Sequence, residues 1–228
     1  MVSCGRIIIL INTQKQFHER SRSASNGMKF ILGIKQNMTQ VFDEIGKVHP
    51  ATILQVGPSF ITQVKTKEND GYCAVQIGTG VKREKNINKP LKGHLNGVNV
   101  RFVKEFCIED PSKYKVGEKI DLSAFAVGDI IEVSAISKGK GYQSVIKRHG
   151  FKGQPRSHGQ KHSENAPGSI GGGLRNKVPK NMRMAGRMGG DRITVKNLKV
   201  LGVDQENNQL LISGAVPGRR GTLVEIRG

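Results

Sequence analysis

The sequence is poor in aromatic residues and cysteine. Aromatic side chains make up 5% of its 228 residues and tryptophan is absent, which argues against a platform of exposed rings for stacking single-stranded bases. Its three cysteines, Cys4, Cys73 and Cys107, are far apart, odd in number and form no CxxC pair. This pattern argues against a disulfide framework and a cysteine-based zinc module, and it suits a reducing compartment.

Long apolar runs are also missing. No stretch approaches the roughly 18 residues that a membrane span requires, and the hydrophobic fraction of 36% is below the average of globular proteins. We therefore expect no membrane-spanning segment. The length is nevertheless sufficient for one or two domains with a genuine core.

Acidic residues are scarce beside basic ones, 18 against 37, which gives a net charge of +19. Such an excess favours nucleic acid or an anionic membrane surface as a partner over the role of a metabolic enzyme. The excess is concentrated in residues 138–192, called the arm below, where thirteen Lys or Arg face only Glu164 and Asp191. The arm alone therefore carries a net charge of +11 in 55 residues.

The arm has no sustained structural period. It holds twelve of the 29 glycines but only two aromatics, Tyr142 and Phe151. Between Gly153 and Gly190 neither a period of 2 nor one of 3.6 persists, so the segment cannot bury enough apolar surface to offset the entropy of ordering it. Long irregular loops inside domains are usually disordered or functional. We expect the arm to have no shape of its own until it is ordered against a polyanion.

Outside the arm, short strands are separated by turns. The pattern predicts strands over 29–34, 51–56, 60–66, 72–77, 101–108, 129–136, 193–196, 198–203, 209–213 and 222–227. Asn69-Asp70-Gly71 is the strongest hairpin signal. Because strands flank the arm on both sides, we predict one barrel-like β-domain, residues 28–137 and 193–228, with residues 138–192 inserted in it.

Two segments favour short helices. Lys89–Gly97 is interpreted as a short helix or an ordered loop. Tyr142, Val145, Ile146 and His149 recur at helical spacing, and Gly150 stands where a glycine ends a helix. His149 is then a helix-end cation or a satisfied polar group rather than a ligand.

Residues 1–27 differ in composition from the rest of the chain. The apolar run Ile7–Ile11 is too short for a secretory signal, whereas the Arg- and Ser-rich composition with a single acid is typical of an organellar transit peptide. Two further interpretations are an upstream in-frame extension, with Met28 as the working start, and a disordered tail. The composition leaves these three interpretations open.

The cations of the arm are the candidate binding residues. Lys and Arg neutralise phosphates and release counterions, and Arg can also grip a phosphate with two nitrogens. The predicted RNA-binding residues are Lys138, Lys140, Lys147, Arg148, Lys152, Arg156, His158, Lys161, Arg175, Lys177, Lys180, Arg183, Arg187 and Arg192. Backbone approach to RNA is predicted at Gly168, Gly171, Gly172 and Gly173, where bare N–H groups can be presented.

Catalytic and metal sites find little support. His158 and His162 stand at i and i+4, but Gly159 lies between them and no cysteine is near. The GSIGGG run beginning at Gly168 matches neither nucleotide-binding glycine motif. We predict no catalytic residue, no metal and no cofactor.

Two competing function classes are considered. One is an RNA-modifying or nucleolytic enzyme, which needs more acids than the arm offers, and the other is a cationic membrane-surface binder, which prefers a long amphipathic helix.

Six blocks in order carry a family resemblance. They are ILGIKQNMTQVFDEIGKVHPATILQV (31–56), NDGYCAVQIGTG (69–80), SKGKGYQSVIKRHGF (137–151), PGSIGGG (167–173), MAGRMGGDRITVKNLKV (184–200) and GAVPG (214–218). From about Met28 to Gly228 the chain resembles the bacterial and organellar form of large-subunit ribosomal protein three.

The resemblance implies a mainly β fold: a closed Greek-key barrel of the SH3-like, translation-protein type with a long basic loop and one or two short helices. It implies a structural protein, not an enzyme, that binds large-subunit rRNA near its 3′ end, acts early in assembly and extends its arm toward the peptidyl-transferase centre. Neighbouring large-subunit proteins are expected partners. We expect no membrane, small-molecule or homo-oligomeric partner.

The chain departs from the family pattern at four places. Asn37 replaces the usual Gly of the first block, and Glu164-Asn165 replaces a His-Arg pair. Leu174 follows the glycine run where many bacterial members carry a methylatable glutamine, so no methylation is carried over. Residues 175–181 are one residue short. The expected location is the bacterial cytoplasmic ribosome, or an organellar ribosome if residues 1–27 are a transit peptide.

Overall fold

The computed structural model describes residues 28–43, 45–95, 97–172 and 177–228. The interpretations of residues 1–27 and the predictions for Gly173 and Arg175 lie outside the described residues. In the part of the chain that is described, no helix is long and apolar enough to cross a membrane.

Strands dominate the described chain. In chain order they are β1 (Phe30–Phe42), β2 (Val48–Gln55), β3 (Ser59–Lys65), β4 (Ala74–Val81), β5 (Val100–Cys107), β6 (Lys119–Ile120), β7 (Ile130–Ile136), β8 (Gly141–Gln143), β9 (Gly186–Met188), β10 (Arg192–Asp204), β11 (Gln209–Ser213) and β12 (Leu223–Arg227). Three short α-helices accompany them, α1 (Lys67–Asp70), α2 (Lys89–Leu95) and α3 (Val145–His149), together with 3-10 helices at Glu84–Asn86, Pro111–Lys113 and Leu122–Ala124.

Six antiparallel strands close into a barrel in the spatial order β1-β12-β7-β10-β11-β2. Its interior is filled by aliphatic side chains such as Ile31, Leu54, Val133 and Ile226, all fully buried. β1 and β12 are neighbours in the barrel, and the backbone N–H groups of Lys29 and Gly228 extend their pairing, since each donates to the other residue's carbonyl. The mainly β fold with a closed barrel is confirmed.

A second sheet, in the order β5-β4-β3-β6, packs against the outside of this barrel. Successive side chains of a strand face opposite sides. In β1, therefore, Ile31 fills the barrel while Phe30 and Leu32 enter a second core with Ile77 and Phe106. The rings of Phe30 and Phe106 stack with centroids 5.1 Å apart. The sequence predicted β3, β4 and β5 but not the two-residue β6, and it did not separate their sheet from the barrel.

Local predictions meet mixed outcomes. The β3–β4 hairpin is antiparallel as predicted, but its connection contains α1 rather than a two-residue turn. For Lys89–Gly97 the sequence left a short helix and an ordered loop as alternatives, and the structure has a helix over Lys89–Leu95. The helix before Gly150 is confirmed, with Gly150 at φ 73° where a side chain would be strained. Tyr142 was wrongly assigned to that helix; it lies in β8 and is exposed.

The arm leaves and re-enters the barrel at one place. It connects β7 to β10, which pair antiparallel with Ile136 opposite Arg192. Its two ends therefore emerge side by side, and any segment between them projects from a single edge of the barrel.

Candidate RNA interface

The base of the arm is a folded stem, formed by residues 137–150 and 184–192. Ser137 N–H donates to Asp191 O at 2.9 Å and Lys140 N–H donates to Met188 O at 2.9 Å. β8 and β9 pair antiparallel, with Tyr142 opposite Arg187. The expectation that the arm has no structure of its own is therefore wrong at its base.

Arg148 ties α3 to the returning chain. Its Nη1 donates to Met184 O at 2.8 Å, and the ring Nε2 of His149 lies 3.1 Å from the same oxygen. A Cβ added at Gly186 would lie only 2.6 Å from Arg148 Nη1, so glycine leaves room for the guanidinium. Arg148 was predicted to bind RNA. In the structure one of its nitrogens is hydrogen-bonded within the stem, and the side chain is exposed.

Beyond the stem, the described residues 151–172 and 177–183 form neither helix nor strand. Turn contacts shape them locally, including a donation from Gln154 N–H to Glu164 O at 3.2 Å. Arg156 Nε lies 2.5 Å from a carboxylate oxygen of Glu164, so this predicted phosphate contact has an internal partner. Glu164 is one of the arm's two acids, and the remaining cations greatly outnumber it.

The described arm exposes its cations and buries almost nothing. Val145 is its one buried residue, whereas all twelve described Lys and Arg of the arm are exposed, as is His158. The described cations are Lys138, Lys140, Lys147, Arg148, Lys152, Arg156, Lys161, Lys177, Lys180, Arg183, Arg187 and Arg192. This excess of like charge is self-repulsive in the absence of an anionic partner.

The predicted glycine contacts are open to solvent where they are described. A Cβ placed on Gly168, Gly171 or Gly172 would have no described atom within 4 Å apart from its own chain neighbours. Among the described residues, therefore, none makes glycine necessary there by lack of space, although Gly168, at φ 82°, needs glycine for its backbone conformation. The bare backbone at these positions remains accessible to a partner.

A buried carboxylate joins the arm to both sheets. Glu225 lies on β12 with its side chain 10% exposed, and it forms ion pairs with Arg192 at the end of the arm and with Lys104 of β5. Arg192, predicted to contact RNA, is thus held by the barrel while remaining exposed. Sequence reasoning missed Glu225; a single acid within the apolar strand Leu-Val-Glu-Ile-Arg was the available signal.

A lysine from the barrel adds positive charge beside the stem. Lys35 Nζ donates to Val216 O at 2.5 Å and to Gly218 O at 3.1 Å. Burial lowers the pKa of Lys35, and the charge of Lys138 lowers it further. Lys35 therefore anchors the loop before β12, and Lys138 is the arm cation whose field reaches it.

The two arm histidines considered as metal ligands do not form a metal site in the described chain. His158 and His162 are exposed and neither lies in a helix. Within residues 28–43, 45–95, 97–172 and 177–228, no group of three or more His, Cys, Asp or Glu side chains is placed to hold a metal ion. The described arm thus presents dispersed cations and open backbone.

Comparison with known proteins identifies the family. The family model described as ribosomal protein L3 matches residues 100–213. Three similar proteins are each named large ribosomal subunit protein uL3. That of Herpetosiphon aurantiacus is 46% identical over 199 residues, covering 86% of this chain and 94% of the relative. That of Thermobifida fusca is 48% identical over 204 residues, covering 88% and 94%, and that of Acidothermus cellulolyticus is 46% identical over 204 residues, covering 88% and 92%. The resemblance carried by the six sequence blocks is confirmed, and this chain belongs to the ribosomal protein L3 family.

Proposed function

We propose that this chain is a structural constituent of the large ribosomal subunit that binds large-subunit rRNA through its arm. Its relatives carry the name of a large-subunit protein, and the family is one of ribosomal structural proteins rather than enzymes. RNA binding is supported by one observation: the arm exposes many cations along a segment whose two ends are fixed to the barrel.

Electrostatics supports RNA as the ligand of the arm. Each Lys or Arg that meets a phosphate releases condensed counterions, so binding is tight at low salt and weakens as salt rises. The described arm has no buried core beyond Val145, so apolar contacts contribute little to a preformed surface. Its shape suits passage between RNA helices, where phosphates approach from several sides.

Geometry supports a deep reach into RNA. Since the stem fixes both ends, the segment beyond it, residues 151–183, runs out and back, and about 16 residues each way extend up to ~55 Å. The proposed arrangement keeps the barrel on the solvent side and directs the arm toward the peptidyl-transferase centre. Binding near the 3′ end of the rRNA, an early role in assembly and contacts with neighbouring large-subunit proteins belong to the same proposal.

The proposed location is the ribosome, which lies in the cytoplasm in a bacterium. An organellar ribosome is proposed instead if residues 1–27 act as a transit peptide. Co-sedimentation from cell lysates tests this directly, since the proposal requires the chain in the large-subunit fraction. Recovery in ribosome-free fractions alone would reject it.

Charge reversal in the arm tests the binding mechanism. Arg183→Glu with Arg187→Glu should weaken binding to in vitro transcribed large-subunit rRNA and flatten its salt dependence, since two phosphate contacts become repulsive. Titrations at several salt concentrations measure both effects. Thermal melting of the variant should match that of the parent chain, because both side chains are exposed.

The control variant is Lys67→Glu with Lys115→Glu, which reverses the same number of exposed cations outside the arm. It should leave affinity and salt dependence nearly unchanged. Equal losses in the two variants would mean that total charge governs binding, and the arm would lose its proposed role.

A further inference from the structure

A second concentration of positive charge lies on the four-stranded sheet, in the connection between β4 and β5. Residues 82–95 together with Arg101, called the basic platform, contain six Lys or Arg and only Glu84. The net charge of +5 in 15 residues is a higher density than that of the arm. The cations are Lys82, Arg83, Lys85, Lys89, Lys92 and Arg101.

The sheet separates its charges by sign. Near the opposite ends of the same strands, residues 65–71 and 107–110 carry four acids and two lysines, a net charge of −2. β4 has eight residues, so the two ends lie about 25 Å apart. That separation is several times the screening length of about 8 Å at physiological salt. The acids at that end are therefore screened from the platform, and Glu105, which lies closer to α2 beside Gln76, is paired with Lys65 rather than with a platform cation.

Few platform cations are neutralised locally. Lys92 Nζ lies 2.8 Å from Glu84 Oε1, and this ion pair lowers the pKa of Glu84. No described acid forms an ion pair with Lys82, Arg83, Lys85, Lys89 or Arg101. Four of these five side chains are exposed and Lys82 is half-buried.

The platform is folded without a partner. Ile87 and Leu95 are buried at 6% and 3% exposure, and Lys82 N–H donates to Asn99 O at 3.2 Å. In α2, His94 Nε2 lies 2.6 Å from Gln76 Oε1 on β4. Gln76 is itself bonded to Thr62 and Glu105, so the helix is tied to the interior of the sheet. Ordering cost on binding is correspondingly small.

The chemistry of the platform fits a phosphate backbone. It contains no aromatic residue, whereas protein-binding centres are enriched in Tyr, Trp and Arg set in dry pockets. We infer that the basic platform is a second, preformed RNA-binding surface that grips phosphates of the same large-subunit rRNA as the arm. This inference rests on the proposed function. In it the chain binds the rRNA through two surfaces, a preformed one on the sheet and an adaptable one along the arm.

The test compares matched pairs of lysines. Lys85→Gln with Lys89→Gln removes two platform cations, and Lys67→Gln with Lys115→Gln removes two exposed cations elsewhere on the sheet's connections. Binding of the full chain to in vitro transcribed large-subunit rRNA is measured across salt concentrations in excess unrelated RNA. The platform variant should reduce the slope of log affinity against log salt by about 2, and the control by much less.

Acetylation footprinting of the unmutated chain gives an independent readout. Bound rRNA should protect Lys85 and Lys89 from acetylation, while Lys67 and Lys115 stay reactive. Protection that requires added large-subunit proteins, and is absent with rRNA alone, would assign the platform to an acidic protein and overturn the inference.

The outcomes separate the two proposals. A platform variant that behaves like its control, while Arg183→Glu with Arg187→Glu weakens binding, overturns the platform alone. A parent chain with no salt-dependent affinity for the rRNA overturns the proposed function itself.

Discussion

Single side chains decide how the parts of this molecule are joined. Glu225 is the clearest case, because one buried carboxylate pairs with a cation from the second sheet and another from the end of the arm. Both cations are partly exposed and keep water contacts, so each ion pair alone contributes modestly. Their shared acceptor links β5 of the second sheet, β12 of the barrel and the end of the arm.

Two valines on neighbouring strands show that the hydrophobic pattern of a sequence does not by itself determine how deeply each side chain is buried. Val133 and Val195 are directly paired across β7 and β10, and the sequence predicts both on a buried face. Val133 is fully buried in the barrel core, but Val195 is only half-buried. The ladder shifts register between Val195 and Leu198, where β10 leaves the regular barrel surface.

Aspartate substitutions should therefore have unequal effects. Val133→Asp buries a carboxylate without a partner and should cost at least about 3 kcal/mol, enough to unfold a marginal domain. Val195→Asp can keep its carboxylate hydrated and should leave a soluble chain with a cooperative melt. Thermal denaturation followed by circular dichroism measures the difference, and equal losses would show that both sites are equally dry.

At the scale of elements, local pattern predicts the longer strands: every described strand of five or more residues overlaps a predicted one. β7, β11 and β12 appear where alternating or continuous apolar runs predict them. The stem was missed because β8 and β9 have three residues each and are separated by 42 residues. Such short, distant partners carry no periodicity of their own; their pairing depends on β7 and β10 bringing them together.

Two adjacent glycines of the stem give a matched test. Gly189 and Gly190 have nearly equal backbone angles, φ 76° and 77°. A Cβ at Gly189 would lie 2.2 Å from Lys138 O, whereas one at Gly190 would lie 3.1 Å from the flexible guanidinium of Arg187. Gly189→Ala must move backbone, while Gly190→Ala mainly meets the strain of its φ.

We expect Gly189→Ala to loosen the stem by about 1–3 kcal/mol more than Gly190→Ala. Hydrogen exchange at the Lys140 amide, which donates to Met188 O in the parent chain, reports opening directly. Faster exchange in Gly189→Ala alone is the expected result. Identical exchange in the two variants would mean that the stem tolerates the displaced backbone.

Because the whole molecule has a large net positive charge, the ionisation of its few acids strongly affects how its stability depends on pH. Donation from the Ala126 N–H and the nearby Lys29 ammonium lower the pKa of Asp129. Lys65 lowers the pKa of Glu105, aided by Gln76 and Tyr72. These folded-state pKa values lie below the unfolded ones, so the stabilisation is present at neutral pH and is lost as pH falls through the folded values.

The free energy of unfolding should consequently fall as the solution is acidified from about pH 5 to about pH 2. Protonation also raises the net charge above +19, which increases self-repulsion in the compact state. Urea titrations at stepped pH measure the fall. Asp129→Asn should show a smaller one than the parent chain, whereas an unchanged pH dependence would mean that Asp129 contributes nothing.

Sequence alone determined the family, the mainly β fold and the uneven distribution of charge. Six ordered blocks and a +11 arm are properties of consecutive residues, so they need no knowledge of pairing. Only the tertiary structure decided that Phe30 and Leu32 serve a second core, that the arm stands on a folded stem, and that Lys85 and Lys89 join a platform. The reason is physical: local pattern reports which faces of a strand are buried, whereas the partner that buries them lies far away in the chain.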